Sequence, residues 1–140
     1  MNANIQIADQ RDVNGELRGT VIVQSSELIS VELGGSIIPN IIDEIPIISV
    51  LASCADGIST IKDASELRKK ESDRIKAVKS GLDKIGVKAI ESEDGLTIVG
   101  KSFNASEPMP IDSFHDHRIC LLYTSPSPRD LSTSRMPSSA

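Results

Sequence analysis

The chain has almost no aromatic side chains: two Phe, one Tyr and no Trp in 140 residues. Any core it builds must therefore be aliphatic. It also lacks positive excess. Fifteen Lys and Arg stand against 20 Asp and Glu, for a formal charge of −5, whereas a nucleic-acid binder is usually basic overall or on one face. No stretch reaches the roughly 18 apolar residues that span a bilayer. Met1-Asn2-Ala3-Asn4 offers no basic segment leading into an apolar one, so nothing signals secretion. Cys54 and Cys120 are too few and too far apart for a disulfide framework or a zinc site. The expectation is a soluble protein of a reducing compartment, the cytoplasm. What is present suits one domain: 39% hydrophobic residues and enough length for a moderate core.

Periodicity places the elements. Ile5–Ile7 and Thr20–Gln24 read as short strands around a turn at Asn14-Gly15. Ile29, Val31 and Leu33 alternate with polar residues as a half-buried strand ending at Gly34-Gly35. Ile41 to Ala55 is apolar nearly all round and reads as a buried helix. Asp43 suits its N-cap, Pro46 its first turn and Gly57 its far end. Ile58 to Ile61 is the next strand. A second helix runs from about Glu71 to Ile85, with Ile75, Val78, Leu82 and Ile85 as its apolar stripe and Gly86 as C-cap. Val87–Ile90 and Leu96–Val99 form a hairpin, and Ser102 to His115 is loop-like. The order from Ile29 to Val99 is β-α-β-α-β-β, an α/β (α+β) unit.

From Cys120 onward the pattern stops. The last 21 residues hold eight Ser or Thr and three Pro, with no strand or helical repeat. Cys120–Ser125, Pro126–Asp130 and Ser134–Ala140 can be encoded, in one frame, by consecutive segments of a sequencing-library adapter. Residues 120–140 are thus expected to be a disordered, non-native tail on an authentic segment 1–119. Without Arg129, Arg135 and Asp130, that segment has 13 basic and 19 acidic residues. Any anion site in it must be a local cluster.

Such a cluster is readable at Lys69-Lys70-Glu71-Ser72-Asp73-Arg74. A helix start favours anions because its free N–H groups point outward. Arg74 offers a fork for carboxylate or phosphate, with Lys70 beside it. Glu71 supplies an acid for proton transfer, while Asp73 is expected to pair locally. As an ordinary solvated helix face the run would carry no function. Asp43 can accept a proton from a hydroxyl if it faces a cleft, or simply cap its helix. His115-Asp116-His117-Arg118 has two readings. His-X-His can bind metal, but no Cys or third His supports a site. Alternatively, His117 and Arg118 enter an anion site beside an acidic orienting partner.

Ile42–Pro46, Glu66–Ile75 and Asp116–Ile119 resemble three motifs of the 5-enolpyruvylshikimate-3-phosphate synthase family, in that family's order and at closely similar separations. The resemblance covers nearly all of 1–119, well under half of the usual enzyme. Glu-Ser-Asp-Arg and Asp-His-Arg favour this family over its relative, the UDP-N-acetylglucosamine enolpyruvyl transferase. The resemblance implies transfer of enolpyruvyl from phosphoenolpyruvate to the 5-hydroxyl of shikimate 3-phosphate, with release of phosphate and without metal or organic cofactor. It implies Asp43 as proton acceptor and Glu71 as the acid that protonates the methylene. Lys70 and Glu66 would contact shikimate 3-phosphate. Arg74 and Arg118 would bind phosphoenolpyruvate, with His117 beside them.

The family's fold is an inside-out barrel of β-α-β-α-β-β units in two domains, with the site in the cleft between them, and the full-length enzyme is expected to be monomeric. This chain then reads as an incomplete C-terminal domain, inactive alone. It has no counterpart of the other domain, and Thr124-Ser125-Pro126-Ser127-Pro128 stands where the family continues a helix after Arg118. A complete, non-catalytic anion-binding domain is the competing expectation.

Overall fold

The computed structural model describes residues 1–101 and 111–124. β1 (Asn4–Val13) and β2 (Glu16–Gln24) form an antiparallel hairpin, closed at Asn14 (φ 58°) and Gly15 (φ 83°). Two successive positive φ values make the tight turn whose twist matches that of the strands, and Asn-Gly adopts it at little cost. The strands run well past the expected Ile5–Ile7 and Thr20–Gln24. The register shifts between Ala8 and Arg11, where Asp9 has φ 53°, and this bulge breaks the period-two pattern that marks a strand in sequence. Ile5, Ile7, Val21 and Val23 pair across one face of the ribbon and are all more than half exposed. An isolated two-stranded ribbon of this kind is at best marginally stable in water.

The second sheet carries the site. Its order is β3 (Glu32–Leu33), β4 (Ile58–Ile61), β6 (Leu96–Val99), β5 (Ala89–Glu91), with β3 and β4 parallel and the other pairs antiparallel. With its helices this is the expected β-α-β-α-β-β order. The strand expected over 29–33 is reduced to two residues and an isolated bridge from Ile29 to Asp56. Between them the Ser59 hydroxyl, rather than a backbone carbonyl, accepts from Val31 N.

The helix expected from Ile41 to Ala55 is instead two pieces, α1 (Ile38–Ile41) and α2 (Ile45–Cys54), with a turn at 42–44. Pro46 explains the break. Deeper in a helix its ring would strike the carbonyl four residues back, so α2 must begin just before it. Asp43 does not cap α2. Glu44 stands at the cap position and makes no side-chain cap bond. The second expected helix begins three residues late, as α3 (Arg74–Lys84), because Asp73 accepts from Lys76 N at 3.0 Å and takes the cap. Gly86 (φ 80°) follows its end, as the sequence indicates.

Ile45 and Ala52 of α2 and Ile75, Val78 and Leu82 of α3 pack with Ile61, Leu96 and Ile98 of the sheet. A last helix, α4 (His117–Thr124), adds Ile119, which is fully buried. This corrects the expectation of no helical structure from Cys120 onward and of no helix after Arg118: residues 120–124 are helical. Cys120 N bonds to Asp116 O at 2.9 Å. Residues 102–110 of the expected loop and 125–140 of the expected tail lie outside the described residues. Among the described residues, no single helix is long and apolar enough to cross a membrane.

Candidate active site

Four short segments meet at one guanidinium. The turn at 42–44 brings Asp43, the residues before α3 bring Lys70, Glu71 and Ser72, α3 opens with Arg74, and the start of α4 brings Asp116 and Arg118. Burial of Ile119 stabilises by roughly 1.5–3 kcal/mol relative to leaving it exposed. That anchorage seats the first turn of α4, and Arg118 with it, against α2 and α3.

Arg74 is 1% exposed, and each of its nitrogens meets a carboxylate. Nη1 donates to Asp43 Oδ1 at 2.8 Å, Nη2 to Glu71 Oε2 at 2.7 Å and Nε to Asp116 Oδ2 at 2.9 Å. A buried charge without such partners would be strongly unfavourable. Asp116 is itself buried. Its Oδ2 also accepts from Ser72 Oγ at 3.0 Å, and its Oδ1 accepts from the backbone N of Arg118 at 2.9 Å and of Ile119 at 3.4 Å. Phe114 (φ 51°) and His115 (φ 56°), immediately before it, both lie in the left-handed region.

The remaining charges lie toward solvent. Lys70 Nζ stands 3.8 Å from Asp43 Oδ1, Arg118 Nη2 lies 3.8 Å from Asp43 Oδ2, and Arg118 Nη1 lies 3.7 Å from Glu44 Oε1. Asp43 and Glu71 are about half exposed, and Lys70 and Arg118 about one-third, so these four line a rim over buried Arg74. The hydrogen bond from Arg74 holds the Asp43 carboxyl below its ordinary value, with Lys70, Arg74 and Arg118 adding charge attraction. Burial opposes ionisation of Asp116, but the bonds from Arg74, Ser72 and Arg118 N prevail and hold it below its ordinary value. Burial likewise opposes the Arg74 charge, and the bonds to Asp116 and Asp43 outweigh it and raise the Arg74 pKa.

The sequence model of the EPSP synthase (3-phosphoshikimate 1-carboxyvinyltransferase) family matches residues 1–124. The chain belongs to this family. It is 44% identical over 123 residues to the 3-phosphoshikimate 1-carboxyvinyltransferase of Chloroflexus aggregans, covering 88% of this chain and 28% of that one. It is 46% identical over 123 residues to that of Listeria welshimeri, covering 87% and 28%. The solved EPSP synthase of Acinetobacter baumannii superposes with a TM-score of 0.79 at 33% identity, over 88% of this chain and 29% of that one. The chain thus spans under a third of the length of the relatives it matches, and its α+β fold is part of an EPSP synthase domain.

Of the residues singled out from the EPSP synthase resemblance, Asp43, Lys70, Glu71, Arg74 and Arg118 converge. Glu66 does not join them: it is exposed on a 3-10 turn (Ser65–Lys69) and makes no ion pair with any described residue. His117 opens α4 and is exposed. Asp73 pairs locally as expected, through its cap bond and with Arg68 Nη1 at 2.8 Å. Glu71 was expected inside the helix, but it lies before it. Ser72 and Asp116 were missed as parts of the cluster, although both sit within quoted motifs. Asp116 was expected to orient His117 or Arg118, whereas its side chain reaches Arg74, 42 positions away in the chain.

Proposed function

We propose that this chain is one wall of an enolpyruvyl-transfer site that moves the enolpyruvyl group of phosphoenolpyruvate to the 5-hydroxyl of shikimate 3-phosphate and releases phosphate. The observation that carries it is the meeting of two solvent-facing carboxylates, Asp43 and Glu71, on one buried guanidinium, with Lys70 and Arg118 at the rim. The reaction removes a proton from a hydroxyl and delivers one to a carbon, which calls for two separately held carboxyl groups. Asp43 takes the first role and Glu71 the second. Arg74 and Arg118 hold phosphoenolpyruvate with His117 nearby, and Lys70 and Glu66 face shikimate 3-phosphate. An anion reaches Arg74 by taking the place of Asp43 or Glu71, which frees those carboxylates for the reacting atoms. The reaction as proposed uses no metal or organic cofactor and takes place in the cytoplasm, in a full-length enzyme that is monomeric.

The solvent-facing carboxylates Asp43 and Glu71 disfavour the competing non-catalytic anion-binding domain, since a site that only binds anions gains nothing from them, whereas proton transfer uses both. Purified 1–140 is expected to release no phosphate from the two substrates, because the partner domain that completes positioning in the family has no counterpart here. Phosphate release that Asp43→Asn abolishes would overturn the expectation of inactivity. We further infer that residues 120–140 are translated adapter appended to a domain segment 1–119. Codons that differ from the adapter sequence in the nucleotide record would overturn this.

A further inference from the structure

We propose that Asp116 is a positioning residue: it bridges the Arg74 guanidinium to the first turn of α4, so that Arg74 and Arg118 are held in one fixed mutual arrangement. The proposal deepens the functional reading above and rests on it only for what the two guanidiniums bind.

The two carboxylate oxygens of Asp116 are divided between two jobs. Oδ2 accepts from Arg74 Nε and Ser72 Oγ, gripping the start of α3. Oδ1 accepts from the backbone N of Arg118 and Ile119, capping α4. One buried, planar group therefore sets both the plane of the Arg74 guanidinium and the position from which Arg118 projects. Arg74 bonds Asp43 and Glu71 through its terminal nitrogens and Asp116 through Nε. Asp43 and Glu71 stand at the solvent-facing rim, where an incoming anion can replace them. Asp116, at 0% exposure, cannot be replaced in that way, so it is the contact that persists while the others exchange.

The backbone supports the same conclusion. Phe114 and His115 hold two consecutive positive φ values, a conformation that L-residues with side chains avoid and that survives only where its surroundings over-determine it. Asp116 N bonds to Ser113 O at 2.9 Å and Phe114 N to Asp112 Oδ1 at 2.7 Å, closing the turn that delivers the carboxylate inward.

Asparagine cannot do both jobs. Whichever way its amide turns, an NH₂ donor faces either Arg74 Nε–H and Ser72 or the N–H groups of α4. The test is Asp116→Asn in the full chain, read by the ¹H–¹⁵N signal of Arg74 Nε–H. Arg74 keeps Asp43 and Glu71 in this variant, so its charge stays compensated. Expected is exchange of Arg74 Nε–H on the order of tenfold or more faster than in wild type. The Arg118 and Ile119 amide signals should shift with it, and those of β4 and β6 should stay in place. Because the amide must break one side of the bridge, wild-type behaviour of the Arg74 Nε–H together with the Arg118 and Ile119 amides overturns the proposal. So does collapse of all signals together, which would mark a general structural role, unless Asp116→Glu folds. That variant keeps the charge but moves it by one methylene. A folded Asp116→Glu with a fast-exchanging Arg74 Nε–H supports the bridge, and one with an unchanged signal overturns it. Phosphoenolpyruvate added to wild type is a separate arm. Silence at both Arg74 and Arg118 in a chain completed to the length of its relatives would sink the substrate reading and leave the bridge standing.

Discussion

Arg74→Ala is expected to remove on the order of 3–5 kcal/mol of folding stability, most of what a domain of this size has to spare. The cost comes mainly from what is left behind. Asp43 stays near Lys70 and Arg118, and Glu71 returns readily to water, since both already face solvent. Asp116 has neither option: it is buried, and among the described residues Arg74 is the cation paired with it. Neutralising Asp116 should therefore rescue the variant, and Arg74→Ala/Asp116→Asn should recover more than half of the loss in urea midpoint. A loss for Arg74→Ala below about 1 kcal/mol, the size of an exposed pair, would show that the cluster carries no buried charge worth compensating. The pH dependence has a definite sign. Asp43 and Asp116 are both held below the ordinary value of 3.8. In the unfolded chain they titrate near that value, so their contribution is complete above it and lost as pH falls through the lower folded values. Wild-type stability should decline below about pH 4, and Asp116→Asn should flatten that decline.

How far the sequence reveals this arrangement depends on the range of each interaction. The stripe at Ile75, Val78 and Leu82 and the turn at Asn14-Gly15 are local, and both appear in the structure as read. The start of α3 is misread because two plausible caps, Ser72 and Asp73, stand side by side. Propensity does not say which side chain will face Lys76 N. Asp43 shows the limit most clearly. Its position before a buried helix makes capping the natural local reading, yet Pro46 moves the helix start and Arg74, 31 positions away, takes the carboxylate. Ser72 and Asp116 belong to the same case. Neither has a local signal of burial, since burial of a charge is decided by a partner brought in by the fold. Helix α4 was hidden for another reason: the Ser/Thr/Pro composition of the last residues masks a helix that Asp116 caps and Ile119 anchors.

In a chain completed to the length of its relatives, Asp43→Asn and Glu71→Gln are each expected to lower kcat for phosphate release by about 10²–10⁴-fold, with a smaller change in KM. Both substitutions keep an amide oxygen that can accept from Arg74, so neither should unfold the cluster, and the melting temperature serves as the control. What each removes is the ability to carry a proton. Asp43 is suited to acceptance because Arg74, Lys70 and Arg118 keep it ionised until a hydroxyl arrives. Glu71 is held through Arg74 Nη2, so an anion arriving on that nitrogen releases its carboxyl group toward the reacting carbon. Both variants should stop before the addition intermediate. Adding the hydroxyl across the enol double bond needs one proton taken from oxygen and one delivered to the methylene carbon. Glu71→Gln should respond to solvent deuterium differently from wild type. Retention of more than about a tenth of wild-type kcat by either variant would remove that residue from proton transfer and leave it as one of the counter-charges of Arg74.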